Sequence, residues 1–245
     1  MKRSTVLIFA SALSLVAAGC TRAEDAGFDK KVHDYIVKHP EVIEEAVQAL
    51  QDKRAQEAQA DAEKSLAKAR AALPSHRAAL EHDSRDFVAN PAGRVTVTEF
   101  FDYRCPHCVN AAPAVLQIIK DNPDVRFVFK ELPIFGAVSE HAARVAIAVR
   151  ALGGDYIGLY RGLMATHGLD DRAIDELGRQ HGVDPAKVEA ARASEDAQIA
   201  DVHKLAAALG VDGTPTFIVG DVVVPGEDMD ALRAAIGEAR QSRSS

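Results

Sequence analysis

Two cysteines three positions apart, in the run Cys105-Pro106-His107-Cys108, are the residues whose type and spacing most directly specify a chemistry. At the start of a helix this spacing puts both sulfurs on one side, within reach of a disulfide that can open and close. Cys105 falls where unpaired amide groups and the helix dipole favour an anion. Its thiol is therefore expected below the free value of about 8.5 and is the expected attacking thiolate. Cys108, further inside, is expected to resolve the mixed disulfide. Pro106 supplies a fixed φ in the first turn, where a missing N–H costs nothing. His107 favours the thiolate, and stabilising the reduced form makes the couple more oxidising. A structural zinc site needs two further ligands, but no second cysteine pair exists and the other histidines are dispersed, so no metal site is expected. Soft Cu(I) on the dithiol is chemically allowed, and a copper-binding protein is the competing reading of another class.

Two further positions bear on this pair. Glu99 interrupts the apolar run Val95-Thr96-Val97-Thr98-Glu99-Phe100-Phe101, six residues before Cys105. A carboxyl buried there is costly unless used, and beneath the cysteine helix its raised pKa lets it exchange a proton with Cys108. Lys130, ending the next strand, is its candidate partner. Thr214-Pro215 precedes Thr216-Phe217-Ile218-Val219. The residues alone predict a trans bond at this proline.

The elements that must hold these residues follow from pattern. Residues 82–91 read as a short edge strand and turn in a hairpin-like start, and residues 95–101 have the β-branched and aromatic composition of a buried strand. A helix to about Asp121 and a strand at residues 125–129 complete a βαβ unit with a parallel pair. Residues 139–209 are helical with breaks at Gly153-Gly154, His167-Gly168 and Gly182-Val183-Asp184-Pro185, room for three or four helices. Two strands, turning at Gly220-Asp221, and a helix from Met229 to about Arg240 close an α/β chain.

Upstream, Phe28, Val32, Tyr35 and Ile36, then Val42, Ile43, Ala46, Val47 and Leu50, fall at helical spacing as two short helices split by Pro40. Residues 51–72 are Ala mixed with charge, a helical but poorly anchored spacer in which Leu66 is the one large apolar side chain. The apolar stripe either packs on the chain's own globule or meets another copy. The first residues read as an export signal: Met1-Lys2-Arg3, an apolar run from Val6 to Ala18, then Gly19-Cys20. Two cleavages stay open, a lipoprotein cut after residue 19 that lipidates Cys20 and a conventional one after residue 23. The apolar run is too short to span a bilayer. With 36 acidic against 29 basic residues, neither nucleic-acid nor polybasic membrane-surface binding is suggested.

Phe100-Phe101-Asp102-Tyr103-Arg104-Cys105-Pro106-His107-Cys108, the helical stretch after the second strand, and Gly213-Thr214-Pro215-Thr216 resemble the DsbA-type branch of the thioredoxin superfamily over roughly residues 83–240. The resemblance implies a thioredoxin fold with a helical insertion, Glu99 as the buried acid, Pro113 as the helix-kink proline, and Thr214-Pro215 as a cis loop. That loop would face the cysteines and offer backbone groups to an extended substrate chain. The stretch with His39-Pro40-Glu41-Val42-Ile43 and its Ala-rich spacer is similar to ScsC-like proteins, which trimerise through such an arm and act as disulfide isomerases. The Pro-His dipeptide is instead typical of DsbA, a monomeric oxidase. The implied organisation is a signal at residues 1–23 (1–19 if lipidated), a helical oligomerisation arm and linker at 24–82 and a catalytic domain at 83–245. The implied setting is the periplasm. The implied partners are exported proteins with thiols or disulfides and a membrane redox partner, either a DsbD- or ScsB-like reductant or a DsbB-like oxidant. No cofactor is expected beyond the redox-active Cys105–Cys108 disulfide.

Overall fold

The structure, a computed structural model, describes residues 22–242, with side-chain surroundings from residue 27 onward. Cys20 and all but the last two residues of the expected signal lie outside the described residues. The chain divides after Gln59 into two compact units. In the first, α1 (Arg22–Lys38) closes where the His39 amide donates to the Tyr35 carbonyl at 2.8 Å. α2 (Glu41–Glu81) begins directly after Pro40, with Glu41 and Glu44 at its positive end. Within this unit Phe28, Val32, Tyr35, Val37, Ile43, Val47 and Leu50 are exposed. The second helix is not short: α2 runs unbroken through the stretch expected to be a spacer.

From Ala60 onward α2 belongs to the unit that carries the sheet, which therefore starts upstream of the expected residue 83. The anchoring is apolar. Ala69, Leu73 and Leu80 are buried with Phe100, Leu132, Leu205, Leu209 and Ile218, and Leu66 and Ala72 pack alongside. Ala, which looks unanchored in sequence, is what allows a helix to lie close on a sheet.

The remaining elements are β1 (Phe87–Ala89), β2 (Val95–Phe101), α3 (Pro106–Asp121), β3 (Val125–Glu131), α4 (Ala137–Ala151), α5 (Tyr156–Ala165), α6 (Asp171–Gln180), α7 (Pro185–Leu209), β4 (Thr216–Val219), β5 (Val222–Pro225) and α8 (Met229–Ser242). The insertion thus holds four helices. Asp155, Asp170 and Asp184 cap α5, α6 and α7 through amides of the following turn, and Gly210 ends α7 in the left-handed region at φ 67°. The sheet runs β1-β3-β2-β4-β5, with β2 and β3 parallel and the other pairs antiparallel. β1 pairs with β3, not with β2, so the start is not a hairpin.

Strand alternation assigns the two faces. Val97, Phe101, Phe127, Phe129 and Phe217 face α3, α5 and α8 in the main core. Phe100, Ile218 and Val223 face the end of α2 and the end of α7. Among the described residues no helix is long and apolar enough to cross a membrane.

Candidate active site

β2 ends at Phe101, and the chain turns through Asp102 to deliver Cys105 to the N-cap of α3, at φ −70° and ψ 120°. The turn is clamped by its own backbone and by one buried side chain. The Cys105 amide donates to the Asp102 carbonyl at 3.2 Å, and Asp102 Oδ1 accepts from the Arg104 amide at 2.7 Å. Asp102 Oδ2 accepts from the amides of Ile134 and Phe135 at 2.7 and 3.0 Å, while the Arg104 guanidinium donates to the Phe135 carbonyl. Asp102 therefore ties the cysteine turn to the loop after β3, whose Ile134 and Phe135 side chains are exposed.

Cys105 and Cys108 are free thiols, both buried. Pro106 opens α3, and Pro113 lies inside it. The Cys105 thiol donates to the Thr214 carbonyl at 3.1 Å, across 109 positions of sequence. The Thr214-Pro215 bond is cis, as the resemblance implied and the residues alone did not. The loop is set by β4 and β5, the Gly226 amide donating to the Pro215 carbonyl at 2.8 Å. The His107 imidazole is exposed, its Nδ1 3.2 Å from Glu227 Oε1 in the segment between β5 and α8.

Glu99 is fully buried on the β2 face that carries Phe101, and neither carboxyl oxygen has a protein hydrogen-bond partner. Burial pushes its carboxyl up to about 8, with the charge of Glu131 adding to the shift. Burial likewise pushes the Cys108 thiol far above its ordinary range, and the Glu99 charge adds to it. Lys130 is not the partner of Glu99. In the parallel register Glu99 lies opposite Phe129, and Lys130 lies opposite Phe100, so the two side chains leave opposite faces of the sheet. Lys130 Nζ instead lies 2.5 Å from Asp86 and donates to the Ala79 carbonyl in the last turn of α2, with Lys130 and Asp86 both buried.

The site thus brings Cys105, Pro106, Cys108, Thr214 and Pro215 together from α3 and the loop before β4, with Glu99 on the face below. Sequence reasoning missed three acids. Asp102 carried a readable signal, an Asx side chain two residues before an amide it can cap. Glu131 falls in phase with Phe127 and Phe129 once β3 extends past Phe129. Glu227 carried none, since its neighbour is 120 positions away. Among the described residues no group of three or more His, Cys, Asp or Glu side chains converges as metal ligands would.

A family model described as DSBA-like thioredoxin domain matches residues 96–237, and one described as Copper resistance protein ScsC N-terminal domain matches residues 25–57. Among curated relatives, the chain is 33% identical over 171 residues to Na(+)/H(+) antiporter NhaA 1 of Salinispora arenicola, covering 63% of this chain and 25% of that protein. It is 34% identical over 138 residues to the thiol:disulfide interchange protein DsbA of Bordetella pertussis, covering 52% of this chain and 64% of that protein. The chain thus spans a quarter of the antiporter and just under two thirds of DsbA. Among solved structures it is similar to a thioredoxin-like oxidoreductase from Silicibacter pomeroyi, with 37% identity, a TM-score of 0.63 and coverage of 67% of this chain and 98% of that one. It is also similar to Proteus mirabilis ScsC in a transitional conformation, with 26% identity, a TM-score of 0.62 and coverage of 90% and 98%.

Proposed function

This chain belongs to the DSBA-like thioredoxin domain family, and from that premise we propose that it exchanges dithiols and disulfides with exported proteins in the periplasm. The observation that carries the reading is Cys105 at a helix N-cap, hydrogen-bonded to the Thr214 carbonyl of the cis loop, with Cys108 buried behind it. As a thiolate, Cys105 attacks one sulfur of a substrate disulfide. A mixed disulfide forms and the second substrate sulfur leaves as a thiolate. Cys108 then gives its proton to the Glu99 carboxylate and attacks Cys105 Sγ. The Cys105–Cys108 disulfide forms, the remaining substrate thiolate departs, and the substrate has gained two electrons. Run backwards, the same steps donate a disulfide. If the freed substrate thiolate instead attacks a different disulfide and finally displaces Cys105, pairings are exchanged with no net oxidation.

The direction we favour is isomerase or reductase, by a self-associating form kept reduced by a membrane donor of the DsbD or ScsB kind. The match of residues 25–57 to the ScsC N-terminal domain and the exposed apolar side chains of α1 and early α2 support it. The second reading is disulfide donation, with a DsbB-like oxidant restoring the pair. His107 and the 34% identity to DsbA favour it. Assays with scrambled and with fully reduced test proteins separate the two. Cys105→Ser is expected to abolish both activities and Cys108→Ser to accumulate the mixed disulfide. Unchanged exchange by Cys105→Ser would sink every version of the proposal.

A further inference from the structure

A second buried acid lies next to the one that serves Cys108. Glu131 and Glu99 stand on adjacent parallel strands, Glu131 opposite Phe101 and Glu99 opposite Phe129, so both side chains leave the same face of the sheet. Both are buried, and the Tyr156 hydroxyl donates to Glu131 Oε1 at 2.5 Å. Glu99 has no protein hydrogen bond. The titratable groups around them are Cys108 on α3, Tyr103 in the cysteine turn, and Tyr156 and Tyr160 on α5, with Asp86 and Lys130 also acting on Glu131.

We propose that Glu131 is a positioning residue for thiol exchange: together with Glu99 it makes the proton acceptor of Cys108 a buried two-carboxylate unit, and so sets the pH at which that thiol can be activated. This rests on the exchange reading above. Two carboxylates in one apolar layer do not ionise independently, because the second charge enters beside the first where water cannot screen it. With both protonated, Cys108 has no acceptor. With Glu131 ionised and held by Tyr156, Glu99 keeps its proton to higher pH, consistent with the contribution of Glu131 to its upward shift. When Glu99 does lose that proton to solvent, it can take the one released as Cys108 attacks the mixed disulfide.

The test uses the full chain carrying glutathione on Cys105 and follows glutathione release, as Cys108 closes the disulfide, from pH 5 to 10. In the unmodified chain the rate is expected to rise with a midpoint near 8. Glu131→Gln, which preserves a hydrogen-bonding partner for Tyr156, is expected to move that midpoint down by about one pH unit, with the plateau rate within about threefold. Glu99→Gln is expected to lose the step. A Glu131→Gln midpoint coinciding with the unmodified one, while Glu99→Gln loses the step, overturns the proposal and leaves the exchange reading intact. Failure of Cys105 to form the mixed disulfide at all overturns both. Should Glu131→Gln not fold, carbon-13 titration of the glutamate carboxyls in the unmodified chain decides. Two coupled inflections for Glu99 and Glu131 support the pair, and single independent ones overturn it.

Discussion

At the scale of single residues, Glu99 is protonated in the folded chain over a range in which the unfolded chain is already ionised, since burial moves its carboxyl from 4.5 to about 8. The folded state then binds more protons than the unfolded one, so stability falls as pH rises through this interval and the full penalty is present above about pH 8. Glu99→Gln is expected to stabilise the protein by about 2–4 kcal/mol at pH 8 and by nothing below pH 4.5, read as melting temperature against pH. Equal gains at both ends of that range would show that folding does not shift the titration of this carboxyl. Glu99 was legible in the sequence because a charge stands out in an apolar strand. The local cap of Asp102 on the Arg104 amide was legible too, but its ties to Ile134 and Phe135, and Glu227 beside His107, were not, because those partners come from other elements.

At the scale of elements, the end of α2 is built into the sheet by three kinds of contact. Leu73 and Leu80 are buried against Phe100 and Ile218, the Thr98 hydroxyl donates to the Leu80 carbonyl at 3.3 Å, and the Lys130 ammonium donates to the Ala79 carbonyl. A cation at the last carbonyls of a helix complements its negative end, and here the same cation neutralises buried Asp86, whose carboxyl burial nevertheless pushes up to about 6. Lys130→Met strands that carboxylate and is expected to cost about 3–5 kcal/mol by urea denaturation, with much of the loss recovered in the Lys130→Met/Asp86→Leu double variant. If the double variant loses the sum of the two single losses, the pair is not coupled. Leu73→Ala is expected to destabilise the sheet-bearing unit by about 2–5 kcal/mol. A cost near zero would mean that α2 beyond Ala60 is dispensable to that unit. The strands were legible from composition and the breaks of the insertion from their Gly positions. The anchoring of α2 was not, since alternating Ala and charge looks the same on a packed helix as on a solvated one.

At the scale of the whole molecule, seven large apolar side chains among the described residues of the first unit remain exposed, Phe28, Val37 and Val47 among them. Covering such side chains with a second copy is worth about 1.5–3 kcal/mol for each one fully buried. Sedimentation of the full chain is therefore expected to give a multiple of 26.2 kDa, and the paired substitution Ile43→Asp/Val47→Asp to return it toward the single-chain mass. A single-chain mass for the unsubstituted protein would remove the assembled isomerase and leave the disulfide-donating reading. The same double variant separates assembly from chemistry. It is expected to keep Cys105-dependent reduction of a small disulfide while losing refolding of scrambled protein.

What the sequence by itself determined was local: the cysteine pair at a helix start, the buried acid in the strand before it, the order of strands and helices, and the apolar spacing of the first helices. Each of these depends on neighbours within a few residues, so residue type and period suffice. Tertiary structure decided what depends on distant partners. It joined β1 to β3, turned Lys130 away from Glu99 to Asp86, set Glu131 beside Glu99 across the β2–β3 register, and brought the Thr214 carbonyl to the Cys105 thiol. Which face of a sheet a side chain leaves, and what waits there, is a property of pairing between strands, and no single segment carries it.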